Sequence, residues 1–178
     1  MDKATLAKNV FQTAHLTGVF TLRSGRVSNV YFDKYQFESR PELLRVIAEK
    51  MAEMLPPETE VLAGLEVGGI PIATAISLHT GLPTAFVRKK AKEYGTMRVS
   101  EGSNLNERKI VIIEDVITSG GQVLLSAEDL RALGAQILCC LCVIDRESGG
   151  REALAEAGIP LQSVFTMSEL QAAAGHER

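Results

Sequence analysis

Over the first third of the chain apolar positions keep mostly helical spacing, and beyond it short apolar runs alternate with helical ones. Leu6, Val10, Phe11 and Ala14 share one side of a 3.6-residue repeat, which predicts a helix over residues 3–16 with Gly18 past its end as a stop. The β-prone runs 20–22 and 30–32, separated by polar residues 23–26, predict two short strands or an extended hood. Ser39 and Glu42 have capping-box spacing and Pro41 suits a first helical turn. Leu43, Leu44, Ile47, Met51 and Leu55 carry that helix forward until Pro56 and Pro57 stop it.

From Val61 onward strands are predicted at 61–65, 84–87, 110–113, 137–144 and 161–165, and helices at 70–79, 122–133, 151–157 and 168–174. Several strands are continuous apolar runs, as expected when helices cover both faces of a parallel sheet. The expected fold class is α/β, a mostly parallel central sheet flanked by helices, with a small N-terminal hood. No linker tract, repeat or like-charge block divides the chain. Residues 1–178 are therefore read as one domain, with 1–40 forming the N-terminal helix and hood and 41–178 the α/β core. Ligands of such sheets bind beyond the carboxyl ends of the strands.

Composition narrows the function. The 178 residues are 46% apolar and 23% charged, the balance of a folded globular domain. A formal charge of −3 provides no global basic field to hold nucleic acid. No apolar run approaches the roughly 20 residues of a membrane span, and the N-terminus lacks the marks of a signal peptide, so a cytoplasmic protein with no membrane partner is expected. Cys139, Cys140 and Cys142 lie in the apolar run 137–144, where strand alternation sends neighbours to opposite faces; they read as small buried hydrophobes. His15, His79 and His176 are scattered, so no histidine metal site is expected.

The richest chemistry lies in IVIIEDVITSGGQ, residues 110–122: a buried strand, two carboxylates, then a small polar loop opening a helix. Thr118, Ser119, Gly120 and Gly121 can offer hydroxyls and backbone N–H groups at a helix N-terminus, a ready site for a phosphate dianion. Glu114 and Asp115, acceptors when ionised, suit the two vicinal hydroxyls of a sugar or a hydrated metal. Together they point to a sugar phosphate. No Lys follows the glycines as in a P-loop, and no G-x-G-x-x-G is present.

This segment resembles the phosphoribosyl-pyrophosphate (PRPP) signature of the type I phosphoribosyltransferases, and its wording is most like that of the orotate-specific branch. The resemblance implies that Glu114, Asp115, Val116, Ile117, Thr118, Ser119, Gly120, Gly121 and Gln122 hold PRPP. Residues 88–98, RKKAKEYGTMR, set five cationic side chains against one carboxylate. They resemble the family's catalytic lid, which implies that Arg88, Lys89 and Lys92 meet the pyrophosphate and, with Asp115, serve catalysis. The uninterrupted span 89–106 is an uncommon length for a loop without function. In the family this lid serves the neighbouring subunit, which implies a homodimer with Lys89, Lys92 or both acting in trans.

FTLRSGRVSNVYFD, residues 20–33, resembles the family's hood. Tyr31 and Phe32 have the flat faces to stack on a pyrimidine, and Arg23 can pair with a carboxylate. Arg146 follows the strand ending at Ile144 and matches the family arginine that meets the orotate carboxylate; Thr118 is placed on the base side as well. The implied fold is the type I phosphoribosyltransferase fold. The implied activity is transfer of ribose 5-phosphate from PRPP to orotate, giving orotidine 5′-monophosphate and pyrophosphate in pyrimidine biosynthesis. The implied cofactor is Mg²⁺, held mainly by PRPP and through water by Glu114 and Asp115 rather than by a protein cage. Three positions depart from the pattern of many relatives: Arg23 and Gly68 stand where Lys is common, and Tyr94 where His is common. Transfer to a purine base, and a non-catalytic regulator that senses PRPP or a nucleotide on the same fold, remain as alternatives.

Overall fold

The computed structural model describes residues 1–21, 25–90 and 99–175. Helix α1 (Lys3–Ala14) buries Leu6, Ala7, Val10, Phe11 and Ala14, and the Asp2 side chain caps it by accepting the Thr5 N–H at 2.9 Å. It stops short of the predicted end because His15 and Leu16 already pair with Phe32 and Tyr31 in an antiparallel hairpin of β1 (His15–Thr21) and β2 (Val27–Phe32). Gly18 is thus no helix stop. It lies where the ladder shifts register between Thr17 and Phe20.

A short helix α2 (Tyr35–Glu38), absent from the sequence reading, precedes α3 (Pro41–Ala52). It also undoes the predicted capping box. Ser39 ends α2 and its hydroxyl donates to Gln36 O at 3.2 Å, while α3 starts from Arg40 with no side-chain cap. The capping box that forms is at the other end of the chain, where Thr166 and Glu169 exchange bonds at the start of α7 (Met167–Ala173).

The core continues through β3 (Val61–Leu65), α4 (Gly69–Thr80), β4 (Thr84–Val87), β5 (Ser100–Gly102), β6 (Lys109–Ile117), α5 (Gly121–Ala132), β7 (Gln136–Asp145), α6 (Gly150–Glu156) and β8 (Leu161–Thr166). The sheet order is β5-β4-β3-β6-β7-β8, parallel throughout except for β5, a short antiparallel edge inside the span read as loop. Apolar side chains pack in two layers, one on each face. Cys139 joins the layer of α1, α3 and α4, and Cys140 and Cys142 join that of α5 and α6. All three thiols are free and buried, and burial pushes that of Cys139 up to about 11. Among the described residues no helix is long and apolar enough to cross a membrane.

One register detail creates the crevice. β6 pairs with β3 only as far as Gly64 opposite Ile113, but with β7 as far as Ile117 opposite Asp145. The carboxylates predicted to follow β6 are therefore inside the strand, on a stretch that β3 has already left.

Candidate functional site

Where β3 leaves, residues 66–68 turn toward α4 and pass over Asp115. A Cβ at Gly68 would lie 1.6 Å from Asp115 Oδ2, so a larger residue there requires the carboxylate to move. Gly69 is equally tight, since its Cβ would meet Ile113 O at 2.2 Å. Asp115 is completely buried, and its Oδ1 accepts the Val116 N–H at 2.5 Å. Its Oδ2 meets the Lys34 ammonium at 2.5 Å. Lys34 precedes α2, and nothing in its local sequence marked it for the site. Burial alone would lower its pKa, but the hydrogen bond to Asp115 and the charge of that carboxylate outweigh burial and raise it.

The carboxylates around Lys34 are not equivalent. Burial, then the charge of Asp115, push Glu114 well above the usual carboxylate range, and the same two causes push Glu38 up to about 9. Glu114 Oε1 accepts the Asp115 N–H at 2.9 Å. The two acceptors expected at 114 and 115 are therefore unlike: Asp115 pairs with the Lys34 ammonium, while burial and the neighbouring charge favour the protonated form of Glu114. A neutral Glu114 can donate to a hydroxyl oxygen as well as accept.

Beyond Ile117, residues 118–121 turn into α5. Gly120 adopts φ 76°, Thr118 and Ser119 are exposed, and α5 has neither a side-chain cap nor an acidic residue in its first turn. Its first N–H groups are therefore open to an anion, with Val116, Ile117 and Gln122 framing the turn. The turn is backed by α6, since a Cβ on Gly150 would strike Ile117 Cγ2 and Thr118 O at 2.6 Å each.

Arg88 leaves β4 with its Nε 3.9 Å from Glu101 Oε1 on β5. The Lys89 N–H donates to Glu66 Oε1 at 2.6 Å, which ties the second residue of that cationic segment to the loop over Asp115, and the Lys89 side chain is exposed. Lys92 and Tyr94 lie outside the described residues, as does Arg23.

Tyr31, Phe32 and Arg146 meet around one cavity of about 400 Å³, closed on its other sides by Phe11, His15 and Met167 among others. Phe32 packs on Phe11 with ring centroids 6.1 Å apart, and Tyr31 on Phe20 at 5.5 Å, so each ring is supported from behind. The Arg146 guanidinium is exposed and makes no ion pair among the described residues. Its backbone N–H donates to Ile117 O at 2.8 Å, so this cavity adjoins the turn at 118–121.

The family model for the phosphoribosyl transferase domain matches residues 35–158. An orotate phosphoribosyltransferase of a Nocardioides species is 49% identical over 170 residues, covering 96% of this chain and 95% of that one. Among solved structures, the Mycobacterium tuberculosis H37Rv orotate phosphoribosyltransferase in complex with Fe(III) dicitrate superposes with a TM-score of 0.87 at 30% identity, covering 96% of this chain and 99% of that one. The same protein in complex with PRPP gives 0.82 at 27%, again covering 96% and 99%. With a carboxylate strand and an uncapped turn on the sheet's open crevice, and a near full-length match on either side of it, the chain belongs to the phosphoribosyltransferases and, within them, to the orotate phosphoribosyltransferase family.

Proposed function

We propose that the protein transfers ribose 5-phosphate from PRPP to orotate, releasing pyrophosphate and forming orotidine 5′-monophosphate in the cytoplasm. The observation that carries this reading is the adjacency of two unlike subsites. An aromatic and arginine-lined cavity shares a backbone hydrogen bond with an uncapped helix turn beside a buried carboxylate. A planar anionic base fits the first and a sugar phosphate the second.

The base nitrogen attacks C1′ as pyrophosphate leaves, so no side chain forms a covalent bond, and catalysis is positioning plus electrostatics. The backbone and hydroxyls of residues 118–121 hold the 5′-phosphate. Asp115 and neutral Glu114 orient the ribose hydroxyls from opposite hydrogen-bonding roles. Tyr31 and Phe32 set the plane of the base, and Arg146 with Arg23 pairs with its carboxylate. Arg88, Lys89 and Lys92 meet the pyrophosphate, with the lid lysines reaching the partner's site in a homodimer. Among the described residues no three acidic, histidine or cysteine side chains are grouped to cage a metal. A Mg²⁺ ion arriving with PRPP would be held mainly by the substrate and by water, with the carboxylate oxygens of Asp115 as hard acceptors for that water. When bound, that ion supplies positive charge against the leaving pyrophosphate.

The test is orotate absorbance in the presence of PRPP and Mg²⁺, with uracil and adenine as parallel acceptors. Consumption of orotate alone is expected. Turnover of adenine alone, or PRPP binding without turnover of any base, overturns the proposal.

A further inference from the structure

The loop at residues 66–68 crosses the ribose side of the crevice as Glu66, Val67 and Gly68 and brings no cation of its own. Gly68 cannot be replaced by a longer residue without displacing Asp115, because the Cβ would fall 1.6 Å from Oδ2. A diphosphate leaving from C1′ must nevertheless pass a face that carries the Glu66 and Asp115 carboxylates, and like charges repel. The cation that offsets this comes from another element: Lys34, reaching Asp115 Oδ2 from the segment before α2.

We propose that Lys34 is a pyrophosphate-binding residue, moving from Asp115 to the diphosphate when the ribose hydroxyls take the Asp115 oxygens. This rests on the proposed PRPP chemistry and adds to it a residue outside the lid. Three features support it. The Lys34 side chain is 33% exposed while that of its partner is 1% exposed, so the ammonium stands at the mouth of the crevice. A lysine is a compact charge on a flexible stem with three donors, suited to exchanging one anionic partner for another without rebuilding the backbone. Among the described residues Lys34 forms its ion pair with Asp115 and none with Glu38 or Glu114, so once Asp115 turns to the sugar no second ion pair has to be broken.

The experiment measures, by calorimetry, the binding of PRPP, inorganic pyrophosphate and ribose 5-phosphate to the parent chain and to Lys34→Ala and Lys34→Arg. Circular dichroism melts establish that each variant folds. A direct contact predicts that Lys34→Ala weakens PRPP and pyrophosphate about tenfold or more, the scale of one charge-assisted hydrogen bond, and leaves ribose 5-phosphate within about twofold. Lys34→Arg should recover part of the loss. Equal loss for all three ligands would mean that Lys34 only neutralises Asp115 and would overturn the inference, as would unchanged pyrophosphate binding in a folded Lys34→Ala protein. A parent chain that binds PRPP but leaves orotate untouched defeats the proposed reaction and not this contact. A parent chain that does not bind PRPP defeats both.

Discussion

The Lys89 backbone N–H donates to the Glu66 carboxylate at 2.6 Å, joining the loop that covers Asp115 to the start of the cationic segment. The two loops proposed to frame the leaving group therefore share a joint. Replacing Glu66 by Ala removes the acceptor, and the expected result is a fall in kcat of about fivefold, corresponding to about 1 kcal/mol for one partly exposed hydrogen bond, with little change in Tm. Steady-state kinetics with Glu66→Gln beside it checks the assignment, since the amide oxygen keeps an acceptor and should recover most of the rate.

Gly68→Ala should be far more damaging than its size suggests. The added methyl would fall on Asp115 Oδ2, so the carboxylate must move off the ribose side. A loss in kcat/KM of at least about a hundredfold, roughly 3 kcal/mol, is expected in a protein that still folds. An active Gly68→Ala enzyme would show that Asp115 does not need its observed position.

Arg146→Ala should raise KM for orotate about ten- to a hundredfold, as expected for losing one or two charge-assisted bonds to a carboxylate, and leave PRPP binding unchanged. Uracil, which has no carboxylate, provides the control. Its weak turnover, where measurable, should be insensitive to the substitution.

Glu38 gives a pH signature. Its folded-state pKa, pushed up to about 9, lies above the ordinary value of 4.5, so the folded protein binds the extra proton between those limits. Its contribution to stability is complete below about pH 4.5 and is lost as pH rises through 9. Glu38→Gln removes this dependence. Urea unfolding from pH 5 to 9 should show the parent losing more stability than the variant as pH rises, and parallel curves would contradict the burial argument.

Removing divalent ions with a chelator should stop turnover and leave Tm within about 2 °C of its starting value, since no protein cage is being emptied. Restoring Mg²⁺ should restore the rate. A large fall in Tm would indicate an ion bound by the fold itself.

The sheet and the glycine turn into α5 were legible in the sequence because their signals are local: continuous apolar runs at 61–65, 84–87 and 137–144, and glycines where a strand becomes a helix. Tyr31, Phe32 and Arg146 were named from separate segments, and the fold brings them around one cavity. What was not legible depended on pairing across the chain. The capping box at Ser39 gave way to α2, the helix stop at Gly18 to the β1–β2 ladder, and the edge strand β5 is only three residues long. Lys34 was invisible for the same reason. A lone lysine beside two aromatic residues has no pattern, and only the tertiary placement of Asp115 gives it a partner. The upward pKa shift of Glu114 likewise follows from burial on a strand that continues farther than its apolar run.

The unequal ends of β6 have a wider consequence. One neighbour departs at Ile113 and the other accompanies it to Ile117, so in the proposed reading the sugar would be held from the middle of the sheet and the acceptor from the N-terminal ribbon and the tip of β7. The two specificities are mechanically separable. A changed nucleobase preference could arise, by drift or by design, through the ribbon and that tip while the ancestral grip on the activated pentose stays untouched.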